Sequence, residues 1–81
     1  MPGDDDLFER INALSREEEA LYRDAAGGQL APAELQRLKV IKLELDQAWD
    51  LLHQREALRH AGLDPDTARP RSIDMVEGYQ Q

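Results

Sequence analysis

Apolar positions repeat along this chain with helical spacing and almost nowhere with the alternation of a strand. Leu7, Ile11, Leu14, Leu21 and Ala25 follow a 4-3-4-3-4 rhythm once Glu18 is counted as the polar member, which is a heptad seam. Phe8 and Tyr22 broaden that stripe, while Arg10, Arg16, Glu17 and Glu19 keep the opposite side polar. The pattern predicts a first helix over about residues 5–26, capped by Asp4, Asp5 or Asp6. Gly27 and Gly28 break it.

A second, longer helix is predicted over 32–61. Pro32 suits the first helical position, and Glu34 favours the positive end of the helix dipole. Ala31 is a poor cap. Gly62 is placed to end the helix in the left-handed conformation, with Leu63 making the accompanying apolar contact. At about 100° per residue, Leu38, Ile41, Leu45, Ala48, Trp49 and Leu52 share one arc. Val40, Leu43, Leu51 and Leu58 lie nearly opposite, among Gln36, Gln47 and Gln54. A helix packed on one neighbour needs one stripe, so the second stripe calls for a second cover.

The connection between the helices spans only about five residues, which forces them antiparallel. Positions whose numbers sum to about 59 then share a height. Leu21 meets Leu38, Leu14 meets Leu45, Ile11 meets Ala48 and Trp49, and Leu7 meets Leu52. Glu18 falls beside Lys42, and an ion pair is expected there. The hairpin core is therefore read as Leu7, Ile11, Leu14, Leu21, Leu38, Ile41, Leu45, Trp49 and Leu52.

The fold class is all-α: a two-helix hairpin over 1–63, followed by a partly ordered C-terminal tail over 64–81. Asp64-Pro65-Asp66 is a turn sequence, and Arg69-Pro70-Arg71 keeps the backbone extended. Ser72 is placed to cap a short turn carrying Ile73, Met75 and Val76, with Tyr79 closing the apolar set. A hairpin of this size has little core of its own. Two copies packed through Val40, Leu43, Gln47, Leu51 and Leu58 would form a four-helix bundle, so a homodimer is the expected assembly.

Composition narrows the function classes. The 81 residues carry a net charge of −7, no cysteine, and only six Val, Ile and Thr together. Disulfides and thiolate metal sites are excluded, and a reducing cytoplasm is the expected compartment. Residues 1–26 hold eight acids against three bases, 27–61 hold five of each, and 62–81 hold four acids and two bases. Such a chain is repelled by phosphate backbones, so direct nucleic-acid binding is not expected. Neither is a membrane: no apolar run reaches spanning length, no basic amphipathic face is present, and MPGDDD is no signal peptide.

Candidate chemistry is sparse. Asp50-x-x-His53 has the i, i+3 spacing of carboxylate–histidine metal motifs, and Asp46 lies near. It sits on a charged flank rather than in a core, so the expectation is no metal and no cofactor. Ser15 and Ser72 lack a nucleophile-elbow setting, and Gly27-Gly28 lacks the lysine and strand of a phosphate loop. Small helical chorismate mutases hold their anionic substrate with buried basic groups. Here Arg10, Arg16 and Arg23 point mostly away from the apolar face. The chain is read as non-enzymatic, a helical module for self-association and a protein partner. A second reading is a small acidic regulator that engages a basic surface of the transcription or translation machinery.

Three stretches carry a family resemblance: Leu45-Asp46-Gln47-Ala48-Trp49-Asp50-Leu51-Leu52 with Gln54-Arg55, then Gly62-Leu63-Asp64-Pro65, then Val76-Glu77-Gly78-Tyr79. Together they resemble a small uncharacterised actinobacterial family classed as a domain of unknown function. Ala31 departs from the small hydroxyl residue expected before Pro32. The resemblance implies a stand-alone cytoplasmic protein and brings no activity, cofactor or catalytic residue.

Overall fold

A computed structural model describes residues 3–25 and 28–71. Two α-helices, Asp4–Asp24 (α1) and Pro32–His60 (α2), are followed by a short 3-10 turn at Pro65–Thr67. No strand occurs among the described residues. The turn expected over 72–79 lies outside them.

Both helix starts solve the capping problem in the same way. Gly3, not an aspartate, occupies the cap of α1, and Asp6 reaches back to accept from its N–H at 3.4 Å. Ala31 caps α2, and Glu34 accepts from its N–H at 2.9 Å. In each case the acid at the third position supplies the half of a capping box that a residue without a side-chain oxygen cannot. The end of α2 is a Schellman motif: Leu63 N–H donates to Leu58 C=O at 2.8 Å and Gly62 N–H to Arg59 C=O at 3.0 Å. Gly62 has φ of 75°, as its place after the helix requires.

The helices form an antiparallel hairpin. Leu7, Ile11 and Leu14 of α1 are buried, as are Leu38, Ile41, Ala48 and Leu52 of α2, and Ile41 is wholly enclosed. Leu21 and Leu45 are half-buried. Trp49 differs from the expectation, standing 41% exposed. The buried stripe of α2 runs through Ile41, Ala48, Leu52 and Arg55, and Trp49 lies roughly 90° round the helix from its middle. The small Ala48 takes the inward place beside it.

The expected Glu18–Lys42 ion pair is not formed. The Lys42 amine instead stands 5.8 Å from the Tyr22 ring centroid. The pairs that do cross the hairpin are Glu17–Arg37, with Nε and Nη2 donating at 2.5 and 2.7 Å, and Arg10–Glu44 at 3.9 Å. Both lie on the flank away from Tyr22. The Arg37 guanidinium holds the Glu17 carboxyl below its usual range.

After Gly62 the chain turns back and runs antiparallel along α2. Asp64 caps the 3-10 turn by accepting from Asp66 N–H. Ala68 is buried against the helix. Gln54 Nε2 donates to Arg69 C=O and Gln47 Nε2 to Arg71 C=O, each at 2.9 Å. Thus two glutamines of the second stripe grip an extended backbone that has no partner strand of its own.

Candidate functional site

Two features stand out: a buried arginine that ties the start of α1 to the turn after α2, and an exposed aromatic flank. Arg55 is 6% exposed although it is charged. Its Nε donates to Asp4 at 2.6 Å, and its Nη1 donates to Pro65 C=O at 3.2 Å and to Asp66 at 3.1 Å. Arg59 also pairs with Asp4. The guanidinium therefore joins the start of α1, the last turns of α2 and the 3-10 turn. Its bond to Asp4 raises its own pKa, and Asp4 is held below the usual carboxylate range by Arg55 first and Arg59 second. Burial opposes both shifts, but the bonds win.

Its charge alone would place Arg55 at the surface. Two signals could have corrected that. Arg55 continues the buried 4-3 spacing of Ala48 and Leu52. Its number and that of Asp4 also sum to 59, so register alone sets the acid opposite the base.

The second stripe of α2 is divided. Leu58 lines a cleft with Ala68, Thr67 and Arg71, and Leu51 lines another with Pro70, Leu7 and Arg10. The chain's own return segment thus sits on the part of the proposed interface made by Gln47, Leu51 and Leu58. Val40 and Leu43, half-buried, lie beyond the described end of that segment.

The opposite flank is uncovered. Phe8, Tyr22 and Trp49 are the three aromatic residues described, and they are 45, 50 and 41% exposed. Helical phase puts all three on one side of the hairpin, the side marked by the Tyr22–Lys42 contact. Phe8 and Trp49 share a height by the same register that sets Asp4 opposite Arg55. His53 stands beside Trp49 with ring centroids 6.2 Å apart. The adjoining Tyr22 pushes the Lys42 amine up, with smaller help from the charges of Glu18 and Asp46.

The metal candidate is engaged otherwise. The Asp50 carboxylate accepts from Gln54 Nε2 at 2.9 Å and pairs with Arg71 at 3.4 Å, while His53 turns toward Trp49. Among the described residues, no group of three or more His, Asp or Glu side chains is placed to hold a metal ion, and no helix is long and apolar enough to cross a membrane.

The fold and these surfaces define a class: an all-α hairpin strapped by its own return segment, with its described aromatic residues left on the outside. The chain belongs to a family described as protein of unknown function (DUF2630), which matches residues 3–81. It is 46% identical to an uncharacterized protein of Mycobacterium bovis over 79 residues, covering 96% of this chain and 91% of the relative. Uncharacterized proteins from two Mycobacterium tuberculosis strains match with the same identity and coverage. No solved structure matches the chain.

Proposed function

We propose that the protein is a non-catalytic helical interaction module that self-associates through its aromatic flank. The observation that carries this reading is the outward placement of Phe8, Tyr22 and Trp49 on a single side of the hairpin. Large aromatics are the side chains most enriched among binding hot spots, and a small domain gains most by burying them. The flank also mixes Lys42 and His53 with Asp46. We assign the interface to the flank rather than to the stripe expected in the sequence, because the return segment lies on the Gln47, Leu51 and Leu58 part of that stripe.

Light scattering coupled to size exclusion tests this. A dimer is expected at high micromolar concentration. Trp49→Asp and Phe8→Asp should each return it to a 9.2 kDa monomer with its helix content intact. A monomeric parent protein at that concentration overturns the proposal. The acidic-regulator reading draws on Asp5, Asp6, Glu9, Glu19 and Asp24, all exposed along α1. It requires salt-sensitive capture of a basic partner, which Trp49→Asp would leave unchanged.

A further inference from the structure

The segment that returns along α2 after Gly62 fills its seat incompletely. Among residues 64–71 only Ala68 is buried. On one side of it an open cleft of about 330 Å³ is lined by Gln54, Ala57, Leu58, Thr67, Ala68 and Arg71. On the other, Pro70 borders a cleft of about 220 Å³ with Leu7, Ala48 and Leu51. The larger cleft has roughly the liquid volume of ten waters. Leucine in place of Ala68 adds three carbon atoms, so the seat accommodates a bulkier aliphatic side chain than the one it holds.

What holds the return segment is mostly its backbone. Gln54 Nε2 donates to Arg69 C=O, Gln47 Nε2 to Arg71 C=O and Arg55 Nη1 to Pro65 C=O. Carbonyls of alternate residues point to the same side of any extended chain, so the two glutamines recognise an extended backbone rather than this sequence. Two side-chain contacts add selectivity. Arg71 pairs with Asp50 at 3.4 Å, and Asp66, itself 60% exposed, meets Arg55 at 3.1 Å. Fixing an extended residue costs about as much as one such bond contributes. A segment with one buried side chain is therefore the described element most readily displaced.

We propose that this side of α2, from Gln47 to Leu58, is a docking groove for an extended segment of another protein, and that the return segment is its built-in, weakly fitting occupant. The incoming segment carries a bulky aliphatic side chain in place of Ala68 and, three residues later, an arginine in place of Arg71. The aliphatic group fills the cleft at Ala57 and Leu58 that Ala68 leaves open. The arginine pairs with Asp50, and the net charge of −7 favours its approach. The extra apolar burial offsets the high effective concentration of the tethered competitor. By helical phase the groove lies on the side of α2 away from Trp49, and the proposal does not rest on self-association.

Nuclear magnetic resonance of the full-length protein tests this with two end-blocked octapeptides, one matching residues 64–71 and one carrying Ala68→Leu. The host is the full chain with Ala68→Asp, which places a charge under the return segment and releases it. A full chain with Arg71→Glu serves as host where Ala68→Asp alters the helix content. The Ala68→Leu peptide should shift the side-chain amides of Gln47 and Gln54 at millimolar concentration or below, binding about tenfold more tightly than the parent octapeptide. The same peptide with Arg71→Glu should not bind. Ala68→Leu in the protein itself should tighten the return segment and weaken peptide binding about tenfold. Unmoved glutamine amides in both released hosts overturn the proposal. So do equal binding of the two octapeptides, binding that survives Arg71→Glu in the peptide, and equal binding by the released and Ala68→Leu proteins. Concentration-dependent shifts of the same amides without peptide give the groove to a second copy and overturn it too. Trp49→Asp should leave peptide binding unchanged, so failure here and failure of the self-association are read separately.

Discussion

Replacing Arg55 tests how the hairpin and its return segment are joined. The side chain makes three hydrogen bonds, two of them to carboxylates. A buried bond to a charged group contributes about 1.5–3 kcal/mol and a neutral one about 1 kcal/mol. The partners are not equally enclosed: the Asp4 side chain is 30% exposed and that of Asp66 is 60% exposed. The Asp66 bond is therefore discounted to a few tenths of a kcal/mol. With the Asp4 bond, whose acceptor is 30% exposed, taken at about 1 kcal/mol, the Asp4 and Pro65 bonds together leave about 2 kcal/mol, and loss of the packed aliphatic stem adds about 1 kcal/mol. Arg55→Ala is thus expected to destabilise by about 3 kcal/mol, which lowers the Tm of a domain this small by roughly 12–24 °C.

Urea titration and thermal melts followed by circular dichroism read this directly. Arg55→Met keeps the stem and should cost only about 1–2 kcal/mol. That second variant decides the argument. Desolvating a guanidinium is expensive, and an apolar replacement of a buried ion pair is often neutral or stabilising. The arrangement here differs because only the arginine is buried, while both carboxylates keep water. An Arg55→Met protein as stable as the parent, or more so, would show that desolvation outweighs the three bonds, and the assigned role of Arg55 would be refuted. Coupling of about 1 kcal/mol between Arg55→Met and Asp4→Asn in a double-mutant cycle would locate the effect at that contact.

The remaining predictions concern acid, the turn and the flank. Asp4 has its pKa lowered in the folded protein, so its contribution is present above its unfolded pKa and is lost as pH falls through the folded value. Stability should decline below about pH 4, and Asp4→Asn should flatten that part of the profile; an unchanged profile in the variant counts against the assignment. Gly62→Ala places a side chain at φ 75° with nothing within 4 Å of its Cβ, so it should cost about 1 kcal/mol through backbone conformation alone, with an unchanged urea m-value. Trp49→Ala should lower stability by less than about 1 kcal/mol, because the ring is not part of the core, and a loss near the ~3–5 kcal/mol of a buried tryptophan would show that it is.

The hairpin itself was legible because its signals are local. Heptad spacing in α1, Pro32 and Gly62 at the ends of α2, and a short connection determine two antiparallel helices without tertiary information. Register was legible too, since the sum near 59 that aligns Leu7 with Leu52 also aligns Asp4 with Arg55. The misplacements arise where two residues compete for one position. Trp49 and Ala48 are neighbours on the helix, and hydrophobicity alone favours the larger ring for the core. Close approach of two helices favours the smaller side chain, so the tryptophan is left outside. Arg55 is the converse case. A charge looks like surface until the chain is seen to supply an acid from each of two other segments.

The same competition explains the second stripe of α2. An apolar row interrupted by Gln36, Gln47 and Gln54 is ambiguous in sequence, since another helix or an extended strand could cover it. A helix satisfies its backbone internally and needs only apolar contact, whereas an extended segment brings unpaired carbonyls that require donors. Glutamines spaced along a greasy stripe suit the second kind of cover. At Gln47 and Gln54 the donors are used in this way. Over the described residues, α2 is thus strapped along this side as far as Gln47. The aromatic flank, which no described segment of the chain covers, is the face to which the proposed self-association is assigned.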